Sequence, residues 1–191
     1  MLGGRPPTVN DLPKSTYTAQ VIKESLRLYP PVWRLARQAK EATDILGYAI
    51  EKNAYVFLTI HVIHRDPNRY HHADALDPER FAPGCPKPGR FAYLPFSRRK
   101  RQCIGDRFAE MEMILVIATL AQTYEVSLSP GQTSVTQPSV TLRPRDGMSM
   151  KIHRRSLDHP DEPAIETIEG ARREPLAQTC PMHRHIGQAE E

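Results

Sequence analysis

Cys103 stands where a basic run, Arg98-Arg99-Lys100-Arg101, meets a long apolar stretch opened by Ile104-Gly105. A helix starting there would offer the thiol free backbone amides and the positive end of the helix dipole. The three arginines and the lysine just upstream add to both. All of this favours thiolate over thiol. Gly105, lacking a Cβ, lets the backbone come close to a bulky ligand. A thiolate with no histidine or second cysteine beside it suits a nucleophile or a single axial metal ligand. The plainer alternative is an inert, partly buried cysteine. Glu24 and Arg27 are three apart, so they share a helix face. Taken alone they read as a surface ion pair of little worth. Arg80, in Pro78-Glu79-Arg80-Phe81, is equally anonymous by itself. Cys180, His183 and His185 have donor types that suit a metal, but no fourth ligand is evident.

The elements that would position these groups follow from periodicity and breakers. Tyr17, Val21, Ile22, Ser25 and Leu28 recur at helical spacing after Ser15 or Thr16 as N-cap, and Pro30-Pro31 ends the helix. Residues 45–50 read as two short strands around a turn, and Lys52-Asn53 as a turn before the strand at Tyr55, Val56 and Phe57. Thr59 to His64 is a short helix. Residues 65–102 form a long, polar, proline-rich stretch of the kind that is usually functional. From Ile104 to Gln122 a strong helical pattern runs through Phe108, Met111, Leu115, Ala118 and Leu120. Tyr124 to Leu128 is a strand. Val140-Thr141-Leu142 and residues 148–152 suggest a hairpin closed at Asp146-Gly147. After His153 the apolar pattern stops, and residues 154–191 read as a disordered tail.

At 191 residues the chain is long enough for one domain with a real core. Mean hydropathy is −0.52, and the longest strongly apolar run, Met113 to Leu120, falls far short of the roughly 20 residues a membrane span needs. No membrane span and no signal peptide are therefore expected, and a cytoplasmic location is. Three widely spaced cysteines argue against a disulfide framework and for a reducing compartment, or for one cysteine doing chemistry. A net charge of +4 could attract acidic partners. Nucleic acid is disfavoured, because no aromatic platform interleaves the basic run.

Together these pieces resemble a family. Residues 24–31, Glu-Ser-Leu-Arg-Leu-Tyr-Pro-Pro, resemble the Glu-x-x-Arg helix of the cytochrome P450 superfamily. Pro78-Glu79-Arg80-Phe81 matches its Pro-Glu-Arg-Phe element, and His64-Arg65-Asp66-Pro67 matches the usual lead into it. Residues 96–105 match its haem loop, Phe-x-x-Gly-x-Arg-x-Cys-x-Gly. The resemblance covers residues 5–153 and implies the C-terminal, haem-binding part of that fold: mainly α with small β hairpins (α+β). It implies haem b as cofactor, with Cys103 as the axial thiolate, Arg101 and Arg37 on the propionates, Phe96 packed on the sulfur's side and Gly105 beside it. Glu24, Arg27 and Arg80 would form the family's buried ion network, and Val32 and Trp33 would face the substrate pocket. The activity implied is a haem-thiolate monooxygenase inserting one oxygen atom from O₂ into an apolar small molecule. Electrons would come from an acidic ferredoxin- or flavodoxin-type donor or a reductase. A remnant or interaction module that no longer binds haem is the alternative.

Three departures stand out. The loop glycine of the family pattern is Arg99 here, where a left-handed backbone would cost roughly 1–2 kcal/mol. Ala73 and Leu76 replace a proline and a phenylalanine common before Pro-Glu-Arg-Phe. The chain is also less than half a family member's length and lacks the Ala-Gly-x-x-Thr string of the oxygen-activating helix. A fragment truncated at its N-terminus is expected, binding haem weakly or not at all when isolated.

Overall fold

The computed structural model describes residues 2–155. Helix α1, Thr16–Leu28, begins after Ser15, and its last turn closes with the Tyr29 amide donating to the Ser25 carbonyl at 2.7 Å before the buried Pro30. Its inward face mixes apolar and charged groups: Ile22 and Leu28 are buried beside Gln20, Glu24 and Arg27. Strand β1, Leu35–Gln38, pairs antiparallel with β4, Tyr55–Leu58. Between them β2, Thr43–Ile45, and β3, Tyr48–Ile50, form a tight hairpin. Its turn residues Leu46 and Gly47 have φ of 54° and 84°, the mirror-image turn that matches strand twist, and the Gly47 amide donates to the Asp44 carboxylate at 2.9 Å.

The single-turn helix α2, Ile60–Ile63, opens the long loop. The loop has structure of its own. Pro78–Phe81 is a 3₁₀ turn with the Asp77 side chain accepting from the Glu79 amide, and Arg99–Arg101 is a second. Tyr70, Ala73 and Ala92 form a small buried cluster inside it. Helix α3, Asp106–Thr123, follows, with α1 packed against both α3 and the Pro78–Phe81 turn. Among the described residues of α3, Ile114 is buried, while Phe108, Val116, Ile117 and Leu120 stay exposed. A helix apolar on several sides is normally an interior element. Here most of that surface faces outward.

The C-terminal strands correct the expected hairpin. Strand β8, Met150–Arg154, pairs with β5, Tyr124–Leu128, in register from Tyr124↔Arg154 to Leu128↔Met150. Strand β7, Leu142–Pro144, pairs instead with β6, Thr136–Pro138. Five ladder positions across β5 and β8 outweigh the local turn at Asp146-Gly147, which serves only to return the chain. The resulting α+β arrangement agrees with expectation. The expected tail, residues 154–191, lies almost wholly outside the described residues.

Candidate functional site

The Glu24–Arg27 pair is no surface pair: both side chains are fully buried. Glu24 accepts from Arg27 Nε and Nη2, each at 2.7 Å, from Arg80 Nε at 3.2 Å and from the Asp77 amide at 2.9 Å. Arg27 in turn donates to the carbonyls of His64 at 2.8 Å, Ala73, and Ala75 at 3.0 Å, and lies 4.9 Å from the Tyr70 ring centre. Arg80 also donates to the His72 carbonyl at 3.0 Å, and its Nη1 is buried without a hydrogen-bond partner among the described residues. A buried pair is sound only when its remaining donors and acceptors are satisfied, and breaking one costs more than forming it gains. Here the spare donors of Arg27 pin three carbonyls of the long loop to α1. The network therefore shapes a segment with little apolar core of its own.

That shaping continues into the residues before Cys103. Tyr70 Oη donates to the Ala92 carbonyl at 2.8 Å, and burial pushes its hydroxyl pKa up to about 12. Tyr93 Oη donates to the Lys23 carbonyl on α1 at 3.0 Å, and burial raises that hydroxyl too. The Leu94 amide donates to His64 Nε2 at 2.7 Å. Ala92 and Leu94 are thus each held by a buried side chain, and Tyr93 between them is held through its own hydroxyl. Sequence reasoning assigned roles to none of Tyr70, Tyr93 and His64; the signal available was the histidine opening His64-Arg65-Asp66-Pro67 directly after the apolar turn of α2.

The cysteine loop springs from this root. The Ser97 amide donates to the Leu94 carbonyl at 3.1 Å, and the Cys103 amide to the Phe96 carbonyl at 2.9 Å, closing the loop on itself. Ser97 and Arg99 have φ of 60° and 62°, so Arg99 does occupy the left-handed conformation that glycine would take without cost. Helix α3 begins at Asp106 with Gly105 as N-cap, placing Cys103 two residues ahead of the cap. Asp106 accepts from Gln102 Nε2 at 2.6 Å and from the Arg107 amide at 2.7 Å, and both bonds hold its carboxyl below the usual range. Cys103 is free and exposed.

Whether these residues suit haem is testable on the chain itself. The sulfur of Cys103 is open to a ligand. Gly105 has φ −94°, and a Cβ there would meet only that sulfur, at 4.0 Å. Among the described residues nothing demands glycine at this position, whereas a flat group lying against the sulfur would. Arg101 is exposed and has no ion-pair or hydrogen-bond partner among the described residues. Arg37, on β1, donates only to the Ala36 carbonyl at 2.8 Å. Exposed Ile104 and Phe108 add apolar surface next to the loop. A soft ligand, a glycine beside it, uncompensated guanidinium groups and apolar neighbours fit an apolar macrocycle with carboxylate arms. Of the pocket candidates, Val32 is exposed, while Trp33 Nε1 donates to the Ser139 carbonyl at 2.8 Å.

A buried Glu-Arg-Arg network thus supports a loop that carries an open cysteine, on an α+β frame. The chain matches the cytochrome P450 family over residues 1–152 and belongs to that family, whose cofactor is haem b. It is 40% identical over 157 residues to cytochrome P450 132 of Mycobacterium tuberculosis, covering 81% of this chain and 34% of that protein. To cyclooctatin synthase of Streptomyces melanosporofaciens it is 36% identical, covering 78% of this chain and 31% of that protein. Among solved structures, retinoic acid bound cyanobacterial CYP120A1 superposes with a TM-score of 0.72 at 34% identity, covering 78% of this chain and 34% of that one. The chain spans about a third of the length of the relatives it matches. Among the described residues no helix is long and apolar enough to cross a membrane.

Proposed function

We propose that residues 1–153 are the haem-binding part of a monooxygenase acting on an apolar small molecule, in which Cys103 would supply the thiolate that holds the haem iron. The observation that carries this reading is the exposed Cys103 sulfur on a loop closed by its own amide and rooted in the buried Glu24–Arg27–Arg80 network. Arg101 and Arg37 would take the carboxylate arms of haem, and Phe96 and Gly105 would flank the sulfur. Haem, when bound, supplies O₂ activation and insertion of one oxygen atom into substrate, and thiolate donation favours cleavage of the O–O bond. The chain's own contribution is ligation, orientation and an apolar wall. Its basic face, Arg98, Arg99, Lys100 and Arg107 around the cysteine, suits an acidic ferredoxin- or flavodoxin-type donor or an acidic reductase surface, because opposite charge speeds encounter and orients it. A cytoplasmic location belongs to the same reading, since a diffusing donor must reach that face from solution. A second reading, an interaction module without haem, draws support from the exposed apolar residues of α3.

The test is the optical spectrum of the reduced, CO-treated protein after incubation with haem. A chain about a third as long as its relatives is expected to take up haem weakly, so the band is read in excess haem on whatever fraction binds: a red-shifted Soret band retained in Cys85→Ala and lost in Cys103→Ala. A band surviving in Cys103→Ala refutes the ligand assignment. If the unaltered chain takes up no haem and gives no such band, the module reading replaces it.

A further inference from the structure

His64 is fully buried, and its two ring nitrogens face groups whose roles leave no choice of tautomer. The Leu94 amide can only donate, so Nε2, 2.7 Å away, must be the acceptor. The ring proton then sits on Nδ1, which donates to the Arg27 carbonyl at 3.1 Å. Arg27 Nη1 returns a bond to the His64 carbonyl at 2.8 Å, so the two residues are tied in both directions. On the other side the Tyr93 ring stacks on the imidazole with centroids 5.4 Å apart.

We propose that His64, as the neutral Nδ1–H tautomer, is the positioning residue that couples the buried ion network to the cysteine loop. Glu24 holds Arg27, Arg27 holds His64, His64 holds the Leu94 amide, and Leu94 holds Ser97 at the mouth of the loop. A second proton on the ring would turn Nε2 from acceptor to donor and set it against the Leu94 amide. The charged and titratable groups facing the ring all resist that proton or leave it unassisted. Arg27 from α1 and Arg65 beside His64 are cations, and Tyr93 from the loop stays a neutral hydroxyl. Glu24 and Arg80 lie behind Arg27, paired with one another. Burial is the largest cause of the lowered basicity of His64, and it acts in the same direction. The loop is thereby anchored by a group that must remain uncharged.

The proposal rests on Cys103 being the ligand-bearing residue, but its test uses the full 191-residue chain without haem and reads the loop directly. In ¹⁵N-labelled protein, long-range imidazole correlations should show His64 with a protonated Nδ1 and a bare Nε2, unchanged between pH 8 and pH 5.5; the signal is assigned by its loss in His64→Gln. Amide exchange should then be compared among three proteins. In His64→Phe, which fills the space but cannot accept, residues 94–103 should exchange at least tenfold faster, with the first half of α1 and the β5–β8 pair unchanged. His64→Gln, whose carbonyl can accept from Leu94, should return most of that protection. An Nε2–H tautomer, titration of the folded-state ring near 6.5, equal exchange in the Phe and Gln variants, or acceleration spread evenly through the protein would each overturn the proposal. The tautomer measurement decides the matter even if His64→Phe does not fold. A missing thiolate band alongside a positive result here would refute the haem assignment and leave the coupling intact.

Discussion

Replacing Arg99 separates backbone strain from side-chain contact in the cysteine loop. With φ at 62°, Arg99 holds a conformation in which Cβ crowds the following carbonyl, at a cost of about 1–2 kcal/mol for an L residue. Its guanidinium lies 5.9 Å from the Phe91 ring centre, an exposed cation–π contact worth about 0.5 kcal/mol. Arg99→Ala removes that contact and keeps the strain, so it should destabilise slightly. Arg99→Gly also loses the contact but releases the strain, offset by about 0.4–1 kcal/mol of extra unfolded-chain entropy. The glycine variant should therefore match or exceed the parent and exceed the alanine variant by about 0.5–1 kcal/mol, or roughly 1–4 °C in melting temperature. Urea and thermal melts of the three proteins, followed by circular dichroism, measure this. Alanine equal to or above glycine would show that the Arg99 backbone carries no strain.

Four further outcomes are expected. Arg27→Ala, which takes two of the four donors from the buried Glu24 carboxylate and orphans three loop carbonyls, should cost about 3–5 kcal/mol in urea unfolding; a cost below 1 kcal/mol would refute the burial argument. His64 has a folded-state pKa of about 4 against about 6.5 unfolded, so the unfolded chain binds the proton more readily and stability should fall as pH drops from 6.5 towards 4, by up to about 3 kcal/mol. That slope should flatten in His64→Gln, as pH-stepped melts will show. Reversing charge at Arg98 and Lys100 should slow association with an acidic ferredoxin and weaken its salt dependence, and stopped-flow rates indifferent to both changes would argue against docking there. Leu120→Ser on the exposed side of α3 should shift stability by no more than about 0.5 kcal/mol in urea melts. A large destabilisation would mean that this side chain is packed after all.

Local patterns and ordered motifs were enough to identify much of this chain. Helix α1 ends where Pro30 removes a donor, the turn at Leu46-Gly47 forms where glycine tolerates positive φ, and α3 follows its apolar repeat. The Glu-x-x-Arg, Pro-Glu-Arg-Phe and cysteine-loop strings together pointed to the family, and the substitution of Arg99 for glycine pointed to the left-handed backbone found there. Each of these depends on residues a few positions apart, whose sterics act whatever the rest of the chain does. Burial and partnership were not legible in this way. Glu24 and Arg27 at helical spacing look like any surface pair, and only the return of residues 64–80 over α1 takes them out of water and gives Arg27 its carbonyls. The pairing of β8 with β5 rather than with the nearer strand was decided across more than twenty residues, where ladder length prevails over the proximity of a turn. His64 met Leu94 across thirty residues of loop. No spacing rule encodes such a meeting, because a buried donor takes whichever acceptor the folded chain brings within reach.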